Sequence, residues 1–348
     1  MPRVLILLLT TALAGAACSS NTVTSAPTAP AVATAVTGPA TTAAATTVPP
    51  TTDATTTEAV TIEPATTEPA TTEGPPTAQT ATTTDDTVPA SRPFNVFVPT
   101  SYNKATPMPL VLLLHGYSAT GAVQEAYFGL QPLAEQRGFL YVHPDGTKDV
   151  RNNQFWNATN ACCEFIGSID DSGYLMSVIH QVERDYNVDR KRIFLIGHSN
   201  GGFMSYRMAC DHADTVAAIV SMAGATFADT AKCKPSEPVS VLQIHGTSDQ
   251  TIQYGGGDIL GQRYPGAEAT VATWAAYDRC GARSVPSSET LDIASQIAGA
   301  ETSVATFPGC PSGVDVELWS VAGGPHVPAL SATFASHAID FLLSHPKQ

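Results

Sequence analysis

Three residues far apart in the chain, Ser199, Asp249 and His326, have the types and the order needed for nucleophilic acyl transfer. A serine hydroxyl is a weak nucleophile until an imidazole takes its proton. The imidazole in turn needs a carboxylate to hold its tautomer and to stabilise its charged form. Ser199 sits in Gly197-His198-Ser199-Asn200-Gly201, which fits the G-x-S-x-G pattern of a nucleophile elbow. Ile193 to Ile196 read as a buried parallel strand and Phe203 to Ala209 as an apolar-rich helical segment, so the chain must turn sharply around Ser199. Glycines at 197 and 201 leave room for strand and helix to close. The hydroxyl then stands above the sheet, and the amide of Asn200, in the first turn of the helix, is placed to donate to an oxyanion.

Acid and base come from later strands. Val239 to Gly246 reads as another buried strand, and Asp249 lies just past its C-terminal end, where catalytic groups of open α/β sheets collect. Val314 to Val321 alternates as a last strand and runs into Ala322-Gly323-Gly324-Pro325-His326, a loop that presents His326 to the serine. The other eight histidines do not combine this order with this location. His115 and His245 each precede a glycine at a strand end, where the backbone is expected to matter more than the ring, and His198 is expected to pack or to hydrogen-bond beside the nucleophile. None shows the spacing of a metal site, and no cofactor is expected.

A second oxyanion donor is expected after Pro109 to Leu114, a strand that runs into His115-Gly116-Tyr117-Ser118. Gly116 lets the chain turn so that the amide of Tyr117 faces Ser199. Trp156, in a loop on the same side of the sheet, is the candidate substrate-binding residue. Asp170 and Asp171 are expected to cap a helix rather than to catalyse.

From about Arg92 to the C-terminus the chain resembles the polyhydroxybutyrate depolymerase and feruloyl esterase group of secreted α/β hydrolases. The resemblance is carried by LLLHGYSATG at Leu112 to Gly121, the Trp156-Asn157 and Cys162-Cys163 segment, and IDDSGYL at Ile169 to Leu175. It continues in NVDRKRIFLIGHSNGG at Asn187 to Gly202 and HGTSDQTIQYGGG at His245 to Gly257. It implies carboxylic ester hydrolysis through Ser199, Asp249 and His326, on an ester substrate that is expected to be polymeric. At the histidine loop the chain departs from the GGGHxWP of similar proteins and carries Gly323-Gly324-Pro325-His326-Val327-Pro328. A serine peptidase of the same chain order and a noncatalytic polymer-binding lipoprotein are the alternatives.

Around this site the chain must supply a scaffold. Strands are expected near 94–98, 109–114, 139–143, 193–197, 216–222, 239–245 and 314–320, and helices near 123–136, 172–186, 201–212, 268–279 and 330–343. Such alternation indicates an α/β-hydrolase fold, a mainly parallel sheet with helices on both faces, in a single catalytic domain spanning 91–348. Residues 1–18 read as a signal peptide in which Cys18 is a candidate lipoprotein cysteine and thus a membrane anchor; cleavage after Ala14-Gly15-Ala16 is the competing reading. Residues 19–90 are rich in Thr, Ala and Pro, contain no Lys or Arg and carry seven acids, as expected of a disordered linker. With a formal net charge of −14, the chain is not expected to bind nucleic acid.

Six cysteines besides Cys18 favour disulfides in an exported domain. Cys280 is expected to pair with Cys310. A bridge from one of Cys162 and Cys163 to Cys210 or Cys233 is one option among the fifteen pairings formally open to six cysteines, between which the sequence does not choose, and a bond between the adjacent pair is the less favoured option.

Overall fold

The structure is a computed structural model that describes residues 88–89, 91–163, 167 and 169–348. The expected signal peptide and, apart from residues 88 and 89, the expected linker lie outside the described residues. Among the described residues, nine strands form one sheet. They are β1 (Val96–Phe97), β2 (Met108–Leu114), β3 (Leu140–Val142), β4 (Val188–His198), β5 (Ala218–Met222), β6 (Ser240–Gly246), β7 (Val285–Leu291), β8 (Thr302–Thr306) and β9 (Val316–Val321). Their spatial order is β1-β3-β2-β4-β5-β6-β9-β8-β7. The six strands from β3 to β9 in that order run parallel, and β1, β8 and β7 pair antiparallel at the edges.

The interior strands are apolar at nearly every position because both faces are covered. Leu110, Leu112 and Leu114 of β2 belong to one core and Val111 and Leu113 to the other. Helices α3 (Asp171–Asp185), α4 (Asn200–Asp211) and α5 (Ala267–Tyr277) cover the first face through Val178, Phe203 and Trp274. Helices α1 (Gly121–Phe128), α2 (Gln131–Arg137) and α6 (Phe334–Ser344) cover the second through Phe128, Ala134 and Phe334. This is the expected α/β-hydrolase architecture.

Several details differ from the expectations. The segment 123–136 is two helices, because Gly129 takes the left-handed conformation at φ 66° and the Glu125 carboxylate accepts the amides of Leu130 and Gln131. The strands β7 and β8 add a hairpin at the sheet edge; β7, Val285-Pro-Ser-Ser-Glu-Thr-Leu291, is exposed at six of its seven positions and so carries no burial pattern. Asp170 caps α3 by accepting the Gly173 amide, whereas Asp171 is buried and ion-paired with Arg92 at 2.6 Å. It also accepts from Thr147 Oγ1 and the Asn157 amide.

The disulfides are Cys162–Cys163, Cys210–Cys233 and Cys280–Cys310. The last is as expected. The option of a bridge from the adjacent pair to Cys210 or Cys233 is not taken, because Cys210 at the end of α4 lies beside Cys233 with 5.5 Å between Cα atoms. Cys162 and Cys163 are left with each other in the loop that packs on Asn200.

Candidate active site

The site is assembled at the C-terminal ends of β2, β4, β5, β6 and β9. Strand β4 ends at His198 in register with Met222 of β5, and the Ser199 amide donates to the Met222 carbonyl at 2.8 Å. From there the chain turns directly into α4, whose first helical bond runs from the Phe203 amide to the Ser199 carbonyl. The turn forces Ser199 to φ 53° and ψ −119°, a conformation that costs a non-glycine residue roughly 1–3 kcal/mol. A Cβ at Gly197 would lie 2.2 Å from the Gly201 carbonyl oxygen, and one at Gly201 would lie 2.1 Å from that of Leu114. Only glycine permits these approaches.

Strands β6 and β9 are parallel neighbours that end level, with Gly246 opposite Val321. The loops that leave them are joined by three bonds: Thr247 amide to Val321 carbonyl at 2.9 Å, Ser248 amide to Gly324 carbonyl at 3.0 Å and Gly323 amide to Thr247 Oγ1 at 2.8 Å. This joint brings Asp249 and His326 together. His326 Nδ1 lies 2.7 Å from Asp249 Oδ2, and His326 Nε2 lies 2.9 Å from Ser199 Oγ. The three expected residues thus form one hydrogen-bonded chain, with the proton on Nδ1 donated to the carboxylate and the serine hydroxyl donating to Nε2.

Asp249 is buried, which by itself would raise its pKa. Donors from His245, His326 and the Thr251 amide outweigh that cost and hold the carboxyl well below the usual range, so it is ionised. Its Oδ1 accepts the amides of Thr251 and Ile252 at 2.8 and 2.9 Å, which fixes the carboxylate plane.

The expected oxyanion loop approaches from β2. A Cβ built on Gly116 would stand 3.5 Å from the Ser199 Cβ, so the loop passes close to Ser199 at Gly116. Gln124 of α1, buried, accepts the Gly116 amide through Oε1 at 3.2 Å. The Tyr117 ring is 39% exposed, and its hydroxyl donates to Asp149 Oδ2 at 2.6 Å.

Trp156 does not present a face to solvent: it is fully buried. Its indole Nε1 donates to the His115 carbonyl at 3.0 Å. Its backbone amide donates to Asn200 Oδ1 at 2.6 Å, and Asn200 Nδ2 donates back to its carbonyl at 2.8 Å. One buried residue therefore ties the loop before Tyr117 to the residue after Ser199. The same Asn200 Nδ2 lies 3.4 and 3.5 Å from the sulfurs of Cys162 and Cys163.

Two more histidines adjoin the site, His198 hydrogen-bonding as expected and His245 contributing more than its sequence position suggests. His198 Nε2 donates to the His326 carbonyl at 2.9 Å. His245, expected to matter through its backbone, turns its ring toward Asp249 with Nε2 3.4 Å from Oδ2. The available signal is their spacing, one residue before the serine and four before the acid.

Residues 99–266 match the family model described as Phospholipase/Carboxylesterase. A bifunctional acetylxylan esterase/xylanase of Neocallimastix patriciarum is 29% identical over 165 residues, which are 47% of this chain and 22% of that longer protein. Feruloyl esterase D of Neurospora crassa is 27% identical over 267 residues, 74% of this chain and 81% of its own length. Among solved structures, an acetyl xylan esterase from Aspergillus awamori superimposes with a TM-score of 0.51 at 15% identity, covering 72% of this chain and 93% of that one. That likeness bears on the fold, and the sequence relatives bear on the chemistry. The chain is a carboxylic ester hydrolase of the α/β-hydrolase fold.

Proposed function

We propose that the protein is an exported serine esterase that removes feruloyl or acetyl groups from polysaccharide, with Ser199 as nucleophile, His326 as base and Asp249 as the acid that orients it. The observation that carries the reading is the continuous chain Ser199–His326–Asp249, at 2.9 and 2.7 Å. His326 takes the serine proton as Oγ attacks the ester carbonyl, and Asp249 stabilises the imidazolium. The amides of Asn200 and Tyr117 receive the oxyanion of the tetrahedral intermediate. Collapse of the intermediate breaks the carbon–oxygen bond, His326 returns the proton to the departing alcohol, and an acyl-serine remains. Water, deprotonated by the same imidazole, then releases the acid and restores the hydroxyl.

The substrate class is supported by the names of the sequence relatives, a feruloyl esterase and an acetylxylan esterase. Export is supported by the three disulfides, which fit an oxidising compartment. Anchoring through Cys18 belongs to the same reading, and loss of the protein from the membrane fraction on Cys18→Ala is its test. For the activity, release of ferulate from methyl ferulate and of acetate from acetylated xylan should exceed release of monomer from polyhydroxybutyrate. Faster release from polyhydroxybutyrate would replace the substrate class by a short-chain polyester. Cleavage of matched amides but not esters would make the protein a peptidase.

A further inference from the structure

The acid's loop follows a second histidine that the proposed triad leaves without a task. His245 lies on β6, four residues before Asp249, and is 2% exposed. Its protonation state follows from its neighbours. Tyr206 of α4 donates its hydroxyl to Gln243 Oε1 at 2.9 Å, which fixes the amide so that Nε2 is the donor end. Gln243 Nε2 donates to the Gly224 carbonyl at 2.9 Å and to His245 Nδ1 at 3.0 Å. A ring nitrogen that accepts an amide proton carries none of its own, so the His245 proton is on Nε2. There it faces the Ile252 carbonyl at 2.7 Å and Asp249 Oδ2 at 3.4 Å.

Asp249 Oδ2 is thus approached by two imidazoles. His326 donates from one side, and His245 Nε2–H is shared with it from the other. We propose that His245, held in its tautomer by Tyr206 and Gln243, is a positioning residue for the reaction: its Nε2–H pins the Asp249 carboxylate and draws charge from the oxygen that faces His326. This rests on the reading of Asp249 as the acid of the triad. The other titratable groups around the carboxylate and His245 are His198, behind His326, Tyr254, edge-on to the His245 ring at 5.7 Å, and Tyr264, whose hydroxyl accepts the Gln253 amide.

The sign of the effect follows from charge. Without the His245 proton, the full carboxylate charge bears on His326 and favours its protonated, inactive form, so activity fails at a higher pH on acidification. The His245→Leu variant, which keeps an apolar side chain and removes the donor, should move the acid limb of kcat/KM upward by about half to one pH unit. KM for a soluble ester should stay within about twofold. The His245→Gln variant, whose amide can donate into the same place, should return the limb toward wild type. A purely structural role would lower kcat or melting temperature in both variants without moving the limb.

A folded and active His245→Leu enzyme with the wild-type limb overturns the proposal. Should that variant not fold, nitrogen-15 NMR of the wild-type protein labelled at histidine reads the tautomer directly. A ring proton on Nε2 is expected, and a proton on Nδ1 overturns it. The Asp249→Asn variant separates the two failures. If it stays active, the triad reading fails; if it is inactive while the His245→Leu limb is unmoved, only the role of His245 fails.

Discussion

His198 and His326 lie ring beside ring, 5.0 Å between centroids, and the Nε2–H of His198 is bonded to the backbone carbonyl of His326 at 2.9 Å. The residue before Ser199 therefore grips the loop that carries His326. Tyr127 adds a second hold, its hydroxyl donating to the Pro328 carbonyl at 2.7 Å. Burial lowers the His198 pKa, the nearby His326 charge lowers it further, and it falls to about 4, so His198 is a neutral donor at working pH.

Replacing His198 by Phe keeps a ring in the buried space and removes the donor. About tenfold of kcat should be lost, the worth of one modest hydrogen bond, with KM within about twofold. A pH dependence accompanies it. The unfolded ring takes up a proton near pH 6.5 and the folded one near pH 4, so its contribution to stability is present above about pH 6.5 and is lost as pH falls toward 4. Thermal melts across that window should show His198→Phe losing less stability on acidification than wild type. Equal losses would mean that His198 is not the group that titrates.

Strain at the elbow is separable from chemistry. Ser199→Gly and Ser199→Ala both remove the hydroxyl, but only glycine takes φ 53° and ψ −119° without penalty. Chemical denaturation should find the glycine variant more stable than the alanine variant by about 1 kcal/mol or more. The reverse order would show that the conformation is not strained.

Asp249→Asn should keep KM while kcat falls by roughly 10⁴, the loss seen in a comparable triad when the imidazole is held in the wrong tautomer. Steady-state kinetics on a soluble ester decide it. A near-silent substitution would move the acid to another residue.

Away from the site, Asp278 is fully buried with one oxygen accepting the Val239 amide and the other unpartnered. Burial raises its pKa to about 7. Its contribution to stability is present below about pH 4 and is lost as pH rises through 7, because the unfolded chain then ionises freely while the folded one cannot. Asp278→Asn should therefore melt higher than wild type near pH 8, with the gap closing toward pH 4. Every tenfold difference in proton affinity between the folded and unfolded carboxyl is worth on the order of 1.4 kcal/mol. No gap at pH 8 would mean that the carboxyl is hydrated.

The hydrogen-bonded set Ser199, His326 and Asp249, the proposed triad, is legible in the chain because its signals are local. The glycines around Ser199 mark a steric requirement, and Asp249 and His326 each follow a strand whose apolar run is plain. The setting of Trp156 is not legible, because burial of an indole is decided by partners 41 and 44 residues away, His115 and Asn200, that nothing in its own loop announces. The cysteine pairing escapes for the same reason, since only the fold puts Cys210 beside Cys233. The strand β7 escapes because an edge strand exposed at six of its seven positions has no core to impose alternation on its residues.

The most direct test of the central claim is covalent labelling of the intact protein with a fluorophosphonate, followed by peptide mass spectrometry. The triad predicts one adduct, on Ser199, and none on a folded Ser199→Ala protein, whose ester turnover should fall by about 10⁶. An adduct on another residue, or a folded Ser199→Ala protein that still turns over ester near the wild-type rate, would contradict it.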